Sequence, residues 1–164
     1  MAFYRVKKIK GKPYLYIVNN KWTKKGPRQK VSKYIGRVYS FTKSLDKSFK
    51  DYIGKETSIY LYENSKEEII SDLIRWELYK HRVRGINIDI KKRSITRNGR
   101  KVAIRINEGF LCDESLTSLI DFVPEGNKND GFRLAKAFVD AGIAVPKDVF
   151  VETFKKVCGE NIKA

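Results

Sequence analysis

The positive charge of this chain is concentrated at one end. Residues 1–50 contain fifteen Lys and Arg side chains and one carboxylate, Asp46, within a chain whose net charge is +16. Residues 51–105 carry thirteen bases and eight acids, and residues 106–164 carry seven bases and ten acids. Because uncompensated like charges repel one another in a compact state, a fold with this distribution is expected to bind a polyanion.

The remaining composition is that of an ordinary globular chain. Hydrophobic residues make up 41% of the 164 positions, which is enough for a core. No apolar run is long enough to predict a membrane span or a signal peptide. Two cysteines, Cys112 and Cys158, are too few for a disulfide framework or a four-ligand zinc site. We therefore expect a cytoplasmic protein without a membrane segment, a metal or a cofactor.

The first third of the sequence predicts three antiparallel strands followed by a helix. Aromatic and β-branched residues favour strands at 3–9, 14–18 (with an extension to Trp22 left open) and 29–39. Gly and Pro predict turns at 10–13 and 24–27. Apolar residues within 44–53 follow helical spacing, and a helix across one face of the sheet would bury both apolar surfaces.

The middle of the chain predicts a strand, a helix and a hairpin. Residues 58–62 form a short apolar run typical of a strand, and Ser65 with Glu68 matches a capping box that begins a helix ending near residue 82. Residues 86–90 alternate as a strand does. Asn98-Gly99 is a strong two-residue hairpin signal between strands at 93–97 and 100–106.

The last third predicts helices. One runs from Asp113, its expected cap, to Phe122. Another begins at Asn129 or Asp130 and ends before Gly142, and a third extends from Pro146 to Gly159. In the second helix the residues expected on one buried face are Phe132, Ala135, Phe138 and Val139.

These elements predict an α+β protein. An N-terminal three-stranded antiparallel sheet with a packed helix is followed by a small α+β unit ending in helices. The expected division is a nucleic-acid-binding unit at 1–55 and a second unit at 56–164. The C-terminal helices are expected to pack internally or to form a homodimer.

Basic and aromatic side chains are interleaved along the predicted sheet. A two- or three-stranded ribbon is narrow enough for a major groove about 12 Å wide. Arg28, Gln29 and Lys30 are of the type that reads base edges, whereas the other cations are expected to contact phosphates. The candidate nucleic-acid-binding residues are Arg5, Lys7, Lys8, Lys10, Lys12, Tyr14, Tyr16, Lys21, Trp22, Lys24, Lys25, Arg28, Gln29, Lys30, Lys33, Tyr34 and Arg37.

The sequence does not decide which face of this sheet is exposed. Alternation puts Tyr14, Tyr16 and Val18 on one face and Leu15 and Ile17 on the other, and both sets are apolar enough for a core. Outward-facing tyrosines would suit stacked, unpaired bases in RNA or single-stranded DNA. Double-stranded DNA is the expected partner, and these are the alternatives.

Residues 3–18 and 26–37 resemble the N-terminal segment of certain insertion-sequence transposases. Those proteins begin with a basic hairpin, a tyrosine-rich second strand and a third strand close to Arg-Gln-Lys-Val-x-Lys-Tyr-Leu-Gly-Arg; residues 28–37 here read Arg-Gln-Lys-Val-Ser-Lys-Tyr-Ile-Gly-Arg. A similar segment precedes some archaeal Fic-like proteins. The resemblance implies a DNA-contacting sheet akin to the three-stranded domains of integrases. It implies no enzyme, because a transposase catalytic domain would not fit in the rest of the chain and the Fic motif is absent.

Catalytic patterns are sparse. His81 is the only histidine and is expected at a helix end, where a cation complements the helix dipole. Asp89 and Lys91, with Asp72 or Glu77, form a weak metal-nuclease pattern, and a metal-dependent nuclease is kept as a further alternative. We expect a non-enzymatic DNA-binding protein, such as a regulator or a mobile-element accessory protein.

Overall fold

The computed structural model describes residues 2–159 and shows the expected α+β architecture. The strands are β1 (Ala2–Ile9), β2 (Lys12–Thr23), β3 (Gly26–Ser40), β4 (Asn87–Asp89), β5 (Ser94–Arg97), β6 (Arg100–Ile106) and β7 (Gly109–Leu111). The helices are α1 (Phe49–Ile53), α2 (Thr57–Glu63), α3 (Lys66–Lys80), α4 (Asp113–Ile120), α5 (Asp130–Asp140) and α6 (Lys147–Cys158). None of the helices in this part of the chain has the length and apolarity that crossing a membrane requires.

One sheet joins the N-terminal strands to the strands of the middle of the chain. Its strand order is β1-β2-β3-β6-β5-β4, and β7 also pairs with β6. All neighbours are antiparallel except β3 and β6, which pair in parallel from Arg37↔Val102 to Ser40↔Arg105. This pairing connects the predicted N-terminal unit to the second unit through backbone hydrogen bonds. The division at residue 55 stays a prediction.

The predicted hairpins form as their turn residues indicate. Asn98 and Gly99 both have positive φ, 52° and 73°, which a two-residue type I′ turn requires. Lys10 and Gly11 adopt the same signs between β1 and β2. Between β2 and β3 the positive φ falls on Gly26, so the turn residues Lys24 and Lys25 remain in ordinary conformations.

The helix predicted within 44–53 is shorter than expected and packs elsewhere. It begins at Phe49, after Ser48 accepts a hydrogen bond from the Asp51 N–H. The preceding residues 41–48 form neither helix nor strand, and Ser44 and Leu45 both donate their N–H groups to the Lys80 carbonyl oxygen at the end of α3. Phe49 packs against aromatic rings of α2 and α3 at centroid distances of 5.5 and 5.4 Å.

The strand predicted at 58–62 is wrong, since these residues form α2. Tyr60 and Leu61 are buried in the main core, while Ile59 and Tyr62 are exposed. The Tyr60 hydroxyl donates to the Asp72 carboxylate at 2.5 Å. Packing against α1 and α3 therefore overrides the β propensity of this short apolar run.

Helix α3 begins with the predicted capping box and α5 with Asn129, one of its two predicted caps, but α4 is capped differently from the prediction. Cys112, not Asp113, occupies the N-cap position of α4, and the Asp113 carboxylate instead accepts the Ile95 N–H at 2.8 Å. Asn129 is the N-cap residue of α5 but makes no side-chain cap bond. Asp130 accepts three backbone N–H groups from 125–127, which lower the pKa of its carboxyl group.

The predicted apolar face of α5 is partly wrong. Phe138 is buried as expected, but Phe132 and Val139 are 73% and 64% exposed. Asp130 and Leu134 are buried with Phe138, so the inward face is rotated from the one that apolarity alone predicts. The free energy of burying the hydrogen-bonded Asp130 is offset by its backbone partners.

Two hydrophobic clusters lie on the sheet. The larger one packs the helices against Ile95, Val102, Ile104, Ile106 and Leu111. A smaller one contains Leu15, Ile35, Val38, Ala103 and Cys112, and it joins the N-terminal sheet to β6 and β7.

Gly36 allows β3 to approach β6. A Cβ atom at this position would overlap the backbone carbonyl group of Lys101. Since that obstacle is backbone, a larger residue would push the two strands apart rather than displace a side chain.

A buried polar cluster fastens α3 to the α5–α6 connection. The Glu77 carboxylate accepts hydrogen bonds from Asn107 Nδ2 at 3.0 Å and from the Ala144 N–H at 3.1 Å. Lys80 Nζ and His81 Nδ1 lie 3.2 and 3.3 Å from its oxygens. His81 thus ends the helix as predicted, but it is buried against Glu77.

We predict that Glu77→Ala lowers the free energy of unfolding by about 3 to 5 kcal/mol, because it leaves Lys80 buried without its carboxylate. Urea unfolding followed by circular dichroism measures the change. Glu108→Ala, which removes an exposed carboxylate, should stay within about 0.5 kcal/mol of the parent. Equal midpoints for the two variants would contradict the role of the cluster.

Candidate nucleic-acid interface

The tip of the β2–β3 hairpin projects beyond the rest of the sheet. On one side, the described part of β1 pairs with β2 only as far as Asn19, the partner of Ala2. On the other side, β6 pairs with β3 only from Arg37 to Ser40. From residue 20 to residue 29 the two strands pair only with each other, and every residue there is exposed except Gly26. At about 3.3 Å per residue, the free ribbon extends roughly 13 Å before its turn.

Cations crowd this ribbon and no carboxylate accompanies them. Lys21 and Arg28 are direct cross-strand partners, and Lys24 and Lys25 form the turn. Like charges placed opposite each other destabilise a strand pair. A partner that brings phosphates to the ribbon would relieve this repulsion.

Trp22 is the most exposed tryptophan of the described chain, at 85%, whereas Trp76 is 4% exposed. It pairs with Pro27, so it lies on the face of the ribbon opposite Lys21 and Arg28. An indole ring held in solvent beside cations is a surface on which an unpaired base stacks well.

Tyrosines cover the outward face of the three-stranded sheet. Leu15 lies in the smaller hydrophobic cluster, with Ile17 packed against it, so the opposite face carries Tyr14 and Tyr16. Their rings lie 6.3 and 5.2 Å from that of Tyr34, which is 53% exposed. Partial burial, and then the neighbouring tyrosines, raise the pKa of the Tyr34 hydroxyl above its ordinary value. The sequence did not decide which face of the sheet is exposed, and in the structure it is the face that carries the tyrosines.

Basic residues flank these rings. Arg5 pairs with Tyr16, and Lys7 and Arg37 pair with Tyr14 from either side. Lys7 Nζ lies 5.0 Å from the centre of the Tyr16 ring, which is a cation–π distance.

Most of the predicted cations are free to meet a ligand. Among residues 2–159, eleven of the twelve make no ion pair, and Lys33 alone contacts a carboxylate, that of Glu114. This contact raises the pKa of Lys33. Lys33 and Lys8 lie on the cluster-facing side of the sheet, since their cross-strand partners are Ile17 and Pro13. Of the candidate residues, Lys10 is exposed in the turn between β1 and β2, and Lys12 is exposed at the start of β2. Those exposed on the ribbon are Lys21, Trp22, Lys24, Lys25, Arg28 and Gln29, and Lys30 is exposed next to it.

Sequence reasoning missed residues that β5 and β6 bring to this face. The Asn-Gly turn predicts the hairpin that carries Arg97 and Arg100. Nothing local places that hairpin beside β3, because the two strands that meet there lie about 65 positions apart. Tyr39, at the end of β3, was missed for the same reason.

Each acid of the predicted nuclease pattern is bound by a different set of partners. Asp72 is bound to Tyr60 and Arg75, Glu77 lies in the buried polar cluster, and Asp89 accepts the Lys92 N–H. Among the described residues, no group of three or more His, Cys, Asp or Glu side chains is arranged to hold a metal ion.

Compared with protein-family models, curated proteins and solved structures, the chain gives no significant match. The resemblance to transposase and Fic-like N-terminal segments stays a prediction.

We predict that iodide quenches the fluorescence of Trp22 much more strongly than caesium does at low ionic strength, because surrounding cations concentrate the anion. Stern–Volmer titrations measure the difference. The Trp22→Phe variant isolates the buried Trp76 and should respond weakly to both ions. Equal quenching of the parent protein by both ions would show that the ribbon is not positive.

Proposed function

We propose that this chain is a non-enzymatic DNA-binding protein that grips double-stranded DNA with its N-terminal sheet. The β2–β3 ribbon enters the major groove, and the cations around it bind phosphates. The observation that carries the proposal is the projecting basic ribbon, residues 20–29, which no carboxylate accompanies. Such a surface stabilises a complex through counterion release from the phosphate backbone.

The dimensions of the ribbon support entry into the groove. Its two strands lie about 4.8 Å apart, and the B-DNA major groove is about 12 Å wide and 8.5 Å deep. A ribbon that lies in the groove with its Lys21 and Arg28 face inward presents Arg28 to the base edges, while Gln29 lies on the opposite face. Lys24 and Lys25 in the turn then lie at the phosphate ridge.

We predict that the Lys24→Gln, Lys25→Gln double variant binds all duplex sequences more weakly. The slope of log K against log salt should fall by up to about 2, since each lost phosphate contact removes about 0.9. Fluorescence anisotropy at several salt concentrations measures this. The matched control is Lys128→Gln, Lys147→Gln, which removes two exposed cations from the acidic end of the chain.

Arg28→Gln in the same assay separates base reading from phosphate binding. It should relax the preference among duplex sequences, with about 1 to 3 kcal/mol lost on the preferred sequence. An effect of Arg28→Gln that is the same on every sequence, like that of the lysine pair, would remove direct readout from the proposal.

Binding of single-stranded nucleic acid is a second candidate function, favoured by the exposure of Trp22 and Tyr34. Stacking of one base on an aromatic ring contributes about 1 to 3 kcal/mol.

We predict that labelled duplex DNA is displaced by unlabelled duplex at lower concentration than by single-stranded DNA or RNA of equal length. A preference for an unpaired strand that Trp22→Ala abolishes would establish the second candidate instead.

A further inference from the structure

A groove lies between the tyrosine face and the β5–β6 hairpin, away from the ribbon. Its volume is about 810 Å³, which is within the range of sites that hold small organic ligands. Tyr14, Tyr34 and Arg37 form one wall, and Arg97 and Arg100 form the other. The parallel pairing of β3 with β6 brings the two walls together.

Two guanidinium groups share one aromatic ring in this groove. Arg37 and Arg97 lie 5.0 and 4.5 Å from the centre of the Tyr39 ring. Arg37 Nε is buried and has no hydrogen-bond partner among residues 2–159. A buried donor without an acceptor destabilises the fold, so a ligand that brings an acceptor to the Arg37 guanidinium would be stabilised there.

The charged residues that line the groove are all positive. They include Lys12 and Lys101 as well as the arginines, and no Asp or Glu is among them. Lys101 contacts Asp113 at 3.1 Å, whereas Arg37, Arg97 and Arg100 make no ion pair with the described residues. Three guanidinium groups that line one groove, with no carboxylate among its lining residues, are suited to binding a phosphate.

An aromatic surface adjoins these cations. The Tyr34 ring is half exposed and is held by contacts with Tyr14 and Tyr16. Arg100 is close enough to lower the pKa of the Tyr34 hydroxyl, against the larger effect of burial. A ligand whose phosphate reaches the arginines would therefore place its next group over a tyrosine ring.

We propose that this groove binds one unpaired nucleotide of a nucleic-acid strand, its phosphate held by Arg37, Arg97 and Arg100 and its base stacked on Tyr34. A base still paired in a duplex would not present its flat face to the ring. The inference extends the proposed DNA binding, on which it rests for the source of the strand.

The groove and the ribbon turn are separated by about one turn of DNA. Tyr14 and Thr23, the last residue of β2, lie nine positions apart, which corresponds to roughly 30 Å at about 3.3 Å per residue. One helical turn of B-DNA spans about 34 to 36 Å. A single DNA molecule with an unpaired end is thus long enough to contact both sites.

The test compares a blunt duplex with the same duplex carrying a five-nucleotide 5′-phosphorylated overhang, by fluorescence anisotropy at one salt concentration. The full chain should bind the overhang duplex about tenfold more tightly or better, as expected for one stacked base with its phosphate. The Arg97→Gln, Arg100→Gln variant should lose this gain and bind both duplexes alike.

Control variants separate the two sites. Arg84→Gln removes an exposed arginine outside the groove and should keep the gain. Lys24→Gln, Lys25→Gln should weaken both duplexes equally and preserve their ratio. Tyr34→Ala should reduce the gain from the overhang, because it removes the stacking ring and no charge.

The outcomes distinguish the inference from the proposed function. No gain from the overhang, or a gain that survives Arg97→Gln, Arg100→Gln, overturns the groove proposal while blunt-duplex binding stands. Absence of blunt-duplex binding overturns the proposed function. The groove proposal then stands if the free five-nucleotide strand still binds in a manner sensitive to the two arginines, and it falls if that strand does not bind. Equal binding by thymidine 5′-monophosphate and the strand would assign the groove to free nucleotides instead.

Discussion

The parallel pairing of β3 with β6 is the interaction on which the rest of the structure depends. It covers only Arg37–Ser40 of a fifteen-residue strand, so the remainder of β3 stays free to form the ribbon with β2. Gly36 permits the close approach at the start of this contact, since any side chain would meet the backbone of Lys101. The same pairing brings the β5–β6 hairpin to the tyrosine face and so creates the groove.

Charge is separated along the chain because residues 1–50 contain fifteen Lys and Arg side chains and a single carboxylate. In residues 51–159, several carboxylates bind groups of the same part of the chain. Glu77 lies in the buried cluster, Asp121 pairs with Arg93, and Asp130 accepts backbone N–H groups. Glu114 differs from these, since its carboxylate pairs with Lys33, one of the predicted nucleic-acid-binding cations. The cations of the ribbon, together with Arg37, Arg97 and Arg100 in the groove, therefore make no ion pair with the described residues, which is the electrostatic condition for binding phosphates.

Sequence patterns predicted the elements whose signals are local. The capping box of α3 and the Asn98-Gly99 turn depend on residues within a few positions of each other, and both form as predicted. The strand predicted at 58–62 failed because contacts with α1 and α3, which no short window contains, decide its conformation. The inward face of α5 was misplaced because Asp130, a residue that composition marks as exposed, is buried by backbone hydrogen bonds from the preceding loop.

The sequence by itself determined that the cations lie at one end and that they lie on strands, because charge and two-residue periodicity are properties of the chain. Only the tertiary structure decided which face of the sheet is exposed. Leu15 is buried because β6 and β7 supply an apolar surface on that side, and this leaves Tyr14 and Tyr34 outward. It also decided that Arg37 meets Arg97 across a groove, since strand pairing between distant segments depends on packing of the whole chain rather than on any local pattern.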